Sequence, residues 1–143
     1  YEAPVCLTYS SANRSAAIRI PYVASAQARR IEVRFPDASA NPYLAFSAIM
    51  LAGLDGVLQG LKPDQPMDAD LYAMGKDALG EMPLVCSSLN QALQSLQEDH
   101  DYLLAGGVFS ADFIRRFIEL KQEEVDRLRL TTHPIEFDMY FSD

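Results

Sequence analysis

The chain has 143 residues, 49% of them hydrophobic and 22% charged, with seven Phe, seven Tyr and no Trp. That length supports one domain with its own core and is too short to expect two, and a mean hydropathy of −0.05 excludes a disordered tail. A formal charge of −8 argues against nucleic acid or an anionic membrane surface as a partner.

Tyr1 stands directly before an apolar stretch, Pro4-Val5-Cys6-Leu7-Thr8-Tyr9, with no initiator Met and no charged-then-apolar leader. The sequence therefore reads as a chain cut into, with nothing that targets it for export. Two strand-like stretches follow. Arg14-Ser15-Ala16-Ala17-Ile18-Arg19-Ile20 is stopped by Pro21, and Arg30-Ile31-Glu32-Val33-Arg34-Phe35 alternates charged with apolar residues up to Pro36. The link between them is short enough for a hairpin-like return. Two strands make no stable sheet, so they are expected to pair with something before residue 1 or in another chain.

Asn41 caps a predicted helix with Pro42 at its first position, running to about Leu58 and ended by Gly60. It is apolar nearly all round, which predicts burial. Residues 61–83, punctuated by Pro63, Pro66, Gly75, Gly80 and Pro83, read as a long exposed loop. Ser87 or Ser88 caps a helix carrying Leu89, Leu93 and Leu96, and Leu103-Leu104-Ala105 stops at Gly106-Gly107. Ser110 caps another helix with Ile114, Phe117, Ile118, Val125 and Leu128 along one face. In the tail, Ile135, Phe137, Met139 and Phe141 alternate with polar neighbours at period two.

Cys6 and Cys86 are too few for a disulfide scaffold and lack zinc spacing, so a reducing compartment and a core-filling role are the default. No apolar run approaches the ~20 residues of a membrane span. His100 lies in the acidic run Glu98-Asp99-His100-Asp101 and reads as exposed. His133, before Pro134, reads as a turn residue.

Charge is unevenly spread. Residues 1–34 hold five arginines and two acids, Glu2 and Glu32, whereas residues 35–143 hold seven basic and eighteen acidic residues. An arginine-only set suits planar, bidentate recognition of carboxylate or phosphate, and equally suits a few surface ion pairs. In a strand, Arg30, Glu32 and Arg34 share one face while Ile31, Val33 and Phe35 face the core. A carboxylate between two guanidiniums stays ionised and can ligate a hard cation, and the arginines can hold anionic oxygens. Arg14 and Arg19 join them if the first strand pairs nearby. The alternative is a solvated face of cross-strand ion pairs.

Several segments carry a specific resemblance. Asn13-Arg14-Ser15-Ala16-Ala17-Ile18-Arg19-Ile20-Pro21, Ala28-Arg29-Arg30-Ile31-Glu32-Val33-Arg34-Phe35-Pro36-Asp37, Asn41-Pro42-Tyr43, Ala52-Gly53-Leu54-Asp55-Gly56, Ala105-Gly106-Gly107-Val108-Phe109 and His133-Pro134-Ile135-Glu136-Phe137 resemble, in order, signatures of the bacterial type I glutamine synthetases. The resemblance covers essentially the whole chain and matches the C-terminal third of that enzyme's sequence.

It implies an α+β fold in which antiparallel strands at the edge of a catalytic sheet precede a mainly helical C-terminal region. The active-site strands and a flap remnant would occupy 1–37, a buried helix 38–60, an exposed loop 61–83, and the helical region and tail 84–143. The implied activity is ATP-dependent ligation of ammonium to glutamate through γ-glutamyl phosphate, with Mg²⁺ or Mn²⁺, in a cytoplasmic homo-oligomer of two hexameric rings. By resemblance, Glu32 is a metal ligand, and Arg14, Arg19 and Arg30 contact ATP phosphates. Arg34 holds glutamate or the transferring phosphoryl group, Glu2 is the flap glutamate, and Tyr72 is the tyrosine that an adenylyltransferase modifies. Gln27 stands where the family often has Lys, and the residues after Tyr72 lack the usual proline-rich continuation. The segment alone is expected to be inactive. A γ-glutamyl ligase for another amine and a non-catalytic assembly relative are the alternatives.

Overall fold

The computed structural model describes residues 6–11, 15–68, 82–135 and 139. They belong to two compact units, Tyr1–Val85 and Cys86–Asp143, each described by itself.

In the first unit, strands β1 (Cys6–Ser10), β2 (Ala16–Arg19) and β3 (Glu32–Val33) form a sheet in that order. β2 and β3 are antiparallel, with Ile18 opposite Val33 and Arg19 opposite Glu32, as the short link predicts. The link holds a single 3-10 turn, Ala26–Ala28, capped by the Ser25 hydroxyl. β1 runs parallel to β2, with Tyr9 opposite Ile18 and Ser10 opposite Arg19. The sheet is therefore mixed rather than purely antiparallel, and its third strand comes from this chain, not from outside it. β1 was hidden in the sequence because its inward positions, Cys6 and Ser10, are small while Leu7 is exposed.

Small residues build this core: Cys6, Ser10, Ser15, Ala16 and Ala17 are all buried. β3 is shorter than its alternation suggests. Ile31 and Phe35 are exposed rather than core-facing, because Pro36 removes a ladder donor and a two-residue edge strand has a neighbour on one side only. Beyond it, the Arg34 N–H still donates to the Ala17 carbonyl at 2.9 Å.

Helix α1 (Pro42–Leu58) has the predicted bounds. The Asn41 side-chain oxygen accepts from the N–H groups of Tyr43 (3.0 Å) and Leu44 (3.3 Å), and Gly60 takes φ +66° beyond the end. Its predicted burial is not met: no residue of α1 is buried, and Tyr43, Phe46, Met50, Leu54 and Val57 are between 50% and 82% exposed. A sheet of three short strands cored with Cys, Ser and Ala has too little apolar surface to cover a 17-residue helix. After α1, residues 61–68 have no regular structure, in keeping with a loop, and both described ends of the 61–83 segment are tied to β1. The Met67 N–H donates to the Tyr9 carbonyl, and the Leu7 N–H donates to the Pro83 carbonyl, each at 2.8 Å.

In the second unit, helix α2 (Leu89–Glu98) is capped by the Ser88 hydroxyl and helix α3 (Ala111–Arg129) by the Ser110 hydroxyl. Between them the 3-10 segment Asp101–Gly107 breaks where Gly106 and Gly107 take φ of +68° and +69°. Leu93, Leu103, Phe109 and Ile114 form the core of this unit. Leu128 is exposed although its spacing places it on the buried face. α3 has 19 residues against the 10 of α2, so its last turns outrun their partner. Cys86 is exposed rather than a core filler. His100 is half-buried, with Nδ1 2.9 Å from the Leu96 carbonyl, one of the acceptors a helix end leaves without an intrahelical partner. His133 stands directly before the helical backbone of residues 134 and 135, its Nδ1 accepting from the Ile135 N–H. Residues 134, 135 and 139 have helical backbone, so the extended, period-two reading of the tail fails at Ile135 and Met139. Phe137 and Phe141 lie outside the described residues.

Candidate functional site

Arg19 and Glu32 are register partners on β2 and β3, and their side chains meet. Nη2 donates to Oε1 at 2.9 Å; Nε lies 2.9 Å from Oε2 on an off-line approach that adds charge attraction without a second hydrogen bond. The Glu32 carboxyl is held below its usual range. The Arg19 hydrogen bond is the largest cause, burial partly opposes it, and the charges of Arg19, Arg30 and Arg34 reinforce it. Glu32 is thus ionised at neutral pH, as expected, but its direct partner is Arg19 across the sheet rather than Arg30 or Arg34 along the strand.

Arg30 is exposed, with Nη1 3.2 Å from the Ala28 carbonyl, and Arg34 is half-buried. Glu2, Arg14 and Tyr72 lie outside the described residues. The structure thus brings together four of the seven singled-out residues: Arg19, Arg30, Glu32 and Arg34.

Next to this pair lies an open cleft of about 620 Å³, lined among others by Ser11, Ile20, Tyr22, Arg29, Arg30 and Ile31. Its two guanidiniums suit anionic oxygens and its tyrosine and isoleucines suit a flat apolar group. Alternation along the strand singles out Arg30 and passes over its neighbour Arg29, which lines the cleft as well. Asp68 was missed altogether. Its Oδ1 accepts from Ser10 Oγ (2.7 Å), the Ser11 N–H (3.1 Å) and Ser11 Oγ (3.1 Å), and these bonds hold its carboxyl below the usual range, Ser10 foremost. It stands in a segment read as loop, 57 residues from Ser11, and nothing local signals that pairing.

Among the described residues no three His, Cys, Asp or Glu side chains gather as a metal site. Glu32 is an ionised oxygen donor of the right kind for a hard cation, which takes about six oxygens. Among the described residues such an ion therefore finds one ligand, not a complete site. In the second unit, a cleft near His100 and Arg115 offers no rival: His100 Nδ1 is engaged by Leu96, and Arg115 pairs with Asp112 and Glu119.

A family model described as the glutamine synthetase catalytic domain matches residues 1–140. The glutamine synthetase of Azorhizobium caulinodans is 56% identical over 142 residues, covering 99% of this chain and 30% of that protein. The 3-hydroxylaminophenol mutase of Cupriavidus pinatubonensis is 54% identical with the same coverage. A solved structure titled GmaS/ADP complex superposes with a TM-score of 0.81 at 30% identity, covering 99% of this chain and 30% of that one. The chain spans about 30% of the length of the curated relatives it matches. On the match of the family model to nearly every residue, the chain belongs to the glutamine synthetase catalytic-domain family.

Proposed function

We propose that the chain works within a polypeptide of its relatives' length as the arginine-bearing part of an ATP-dependent glutamate–ammonia ligase. The observation that carries this reading is the Arg19–Glu32 pair beside the Arg29–Arg30 cleft, in a chain of this family. In the reaction, a γ-carboxylate oxygen of glutamate attacks the terminal phosphorus of ATP, giving γ-glutamyl phosphate and ADP. Ammonia then attacks the acyl carbon, phosphate leaves with the bonding pair, and the nitrogen loses a proton to give glutamine. Phosphoryl transfer is mainly positioning and charge neutralisation, for which fixed guanidiniums are suited.

Each residue has a part. Arg14, Arg19 and Arg30 hold the ATP phosphates, and Arg34 holds glutamate or the moving phosphoryl group. Glu2, on a flap, shields the acyl phosphate from water and takes the proton from ammonium. When Mg²⁺ or Mn²⁺ is bound, Glu32 is the residue of this chain that would hold it, the ion supplying charge neutralisation at the phosphate oxygens. Arg19 also keeps Glu32 oriented and ionised.

The division of labour follows: residues 1–37 carry the site, 38–60 a supporting helix, 61–83 a loop presenting Tyr72 to an adenylyltransferase, and 84–143 assembly contacts of a double-ring homo-oligomer. A cytoplasmic location goes with these substrates. The test is to express the longer polypeptide and measure glutamine and phosphate formation with ATP, glutamate and ammonium, each omitted in turn. Stoichiometric glutamine and phosphate that require all three are expected, with none from residues 1–143 alone. Turnover of 3-hydroxylaminophenol without any glutamine would overturn the reading in favour of the activity named for the Cupriavidus relative.

A further inference from the structure

We infer that Asp68 is a positioning residue for the arginine cleft, its carboxylate fixing the end of β1 and with it one wall of the cleft and the end of β2 that carries Arg19. The inference rests on reading that cleft as the nucleotide site.

All three hydrogen bonds converge on one oxygen, Oδ1 of Asp68, from two consecutive residues at the C-terminal end of β1. Both residues matter to the site. Ser10 is fully buried and is the register partner of Arg19, and its carbonyl accepts from the Ile20 N–H at 2.9 Å, immediately after Arg19. Ser11 lines the cleft with Arg29 and Arg30. A row of cross-strand neighbours thus runs from Asp68 through Ser10 to Arg19 and on to Glu32. Charge-assisted bonds of this kind are roughly twice as strong as neutral ones, so the carboxylate is a firm anchor for a strand end that contributes only one β-ladder edge.

The Asp68 backbone is held independently of its side chain. The neighbouring Met67 N–H donates to the Tyr9 carbonyl at 2.8 Å, and Asp68 itself is exposed. Truncating the carboxylate therefore leaves the chain path attached while removing one partner of the buried Ser10 Oγ and two hydrogen bonds of Ser11. Small misplacements of groups that hold a substrate cost disproportionately in affinity and rate.

The experiment uses the longer polypeptide with Asp68→Ala, Asp68→Asn and Ser11→Ala. It reads the KM for ATP, the KM for glutamate, kcat, the melting temperature and, by calorimetry, the Kd for ADP. Asp68→Ala should raise the ATP KM and ADP Kd about tenfold while the glutamate KM stays near wild type and the melting temperature falls only modestly, by the loss of hydrogen bonds at an exposed side chain. Asp68→Asn keeps the acceptor oxygen but loses the charge and should recover much of that affinity. Ser11→Ala removes one of the three bonds at an exposed position and should weaken ADP by about threefold. Unchanged ATP KM and ADP Kd in Asp68→Ala, or a lower melting temperature and yield with unchanged KM, would overturn the proposal. If Asp68→Ala fails to fold, an unchanged ADP Kd in Ser11→Ala overturns it instead. A wild-type protein that binds no ADP refutes the nucleotide reading itself, whereas one that binds ADP as tightly as Asp68→Ala does refutes only the role of Asp68.

Discussion

Arg19 and Glu32 hold each other across the β2–β3 pair at 2.9 Å while their side chains stay 22% and 33% exposed. At that exposure the pair itself contributes little to stability. It leaves an oriented, ionised carboxylate that a ligand can reach. In the longer polypeptide, Glu32→Ala should reduce kcat by about 100-fold or more, the scale of losing a fixed electrostatic group at a reacting centre. ATP affinity should survive in part, because Arg19 and Arg30 remain. Far-UV circular dichroism checks the fold. Normal turnover at limiting Mg²⁺ in this variant would end the assignment of Glu32 as a metal ligand.

Acid sensitivity follows from the same pair. The folded-state pKa of Glu32 is depressed by Arg19 first of all, and that of Asp68 by Ser10. A depressed carboxylate contributes stability that is fully present above its unfolded value and is lost as pH falls through the folded one. The unfolded values lie near 4.3 for Glu and 3.9 for Asp, so the loss belongs below about pH 4 and not near neutrality. Urea midpoints should therefore be flat from pH 7 to pH 5 as far as these groups are concerned and fall below pH 4. In Glu32→Gln the fall should be shallower. An identical acid limb in the variant would show that the pair contributes nothing to stability.

Gly106 and Gly107 both sit at positive φ, and a Cβ built on either meets nothing within 4 Å. Substitution there costs backbone conformation alone. Gly106→Ala should destabilise the second unit by about 1 kcal/mol, and Gly106→Asn by less, since Asn tolerates the left-handed region. Chemical denaturation of the purified variants gives the ordering. Equal stability of the Ala and Asn variants would point to a steric cause instead.

What could be read ahead of the structure depended on the range of the interactions involved. Caps and stops are local. The acceptor of Asn41, the serines at 88 and 110, and the glycines at 106 and 107 act within a few residues of where they stand, and all were legible. The Arg19–Glu32 register was half-legible, because a 13-residue separation with a short link leaves few ways to pair. The Asp68–Ser10 bond spans 58 residues and has no local signature. β1 was hidden for a different reason: its buried positions are Cys and Ser, so the period-two pattern of hydrophobicity is absent where the pairing occurs. α1 shows the converse failure. Its all-round apolar composition predicts burial, yet no residue of the helix is buried, because composition cannot say whether the surrounding chain holds enough apolar surface to cover it.

The exposed stripe of α1 gives a prediction whose sign depends on chain length. Tyr43, Phe46, Met50, Leu54 and Val57 recur at three- and four-residue spacing, so they share one face of the helix, and all five are exposed. A contiguous apolar face of this size in water is an association hazard. Residues 1–143 expressed alone should therefore bind a hydrophobic dye and self-associate in a concentration-dependent manner. The triple variant Phe46→Gln, Met50→Gln, Leu54→Gln should suppress both. In the polypeptide of the relatives' length, of which this chain spans about 30%, the same stripe is expected to be covered. Burying a large apolar side chain is worth about 1.5–3 kcal/mol, so the same three substitutions should lower the melting temperature of the longer protein markedly. Dye binding and sedimentation on the short chain, and calorimetry on the long one, measure the two effects. If the triple variant improves the short chain and leaves the long one unchanged, α1 keeps its apolar face in solvent in both, and the expected covering of the stripe is wrong.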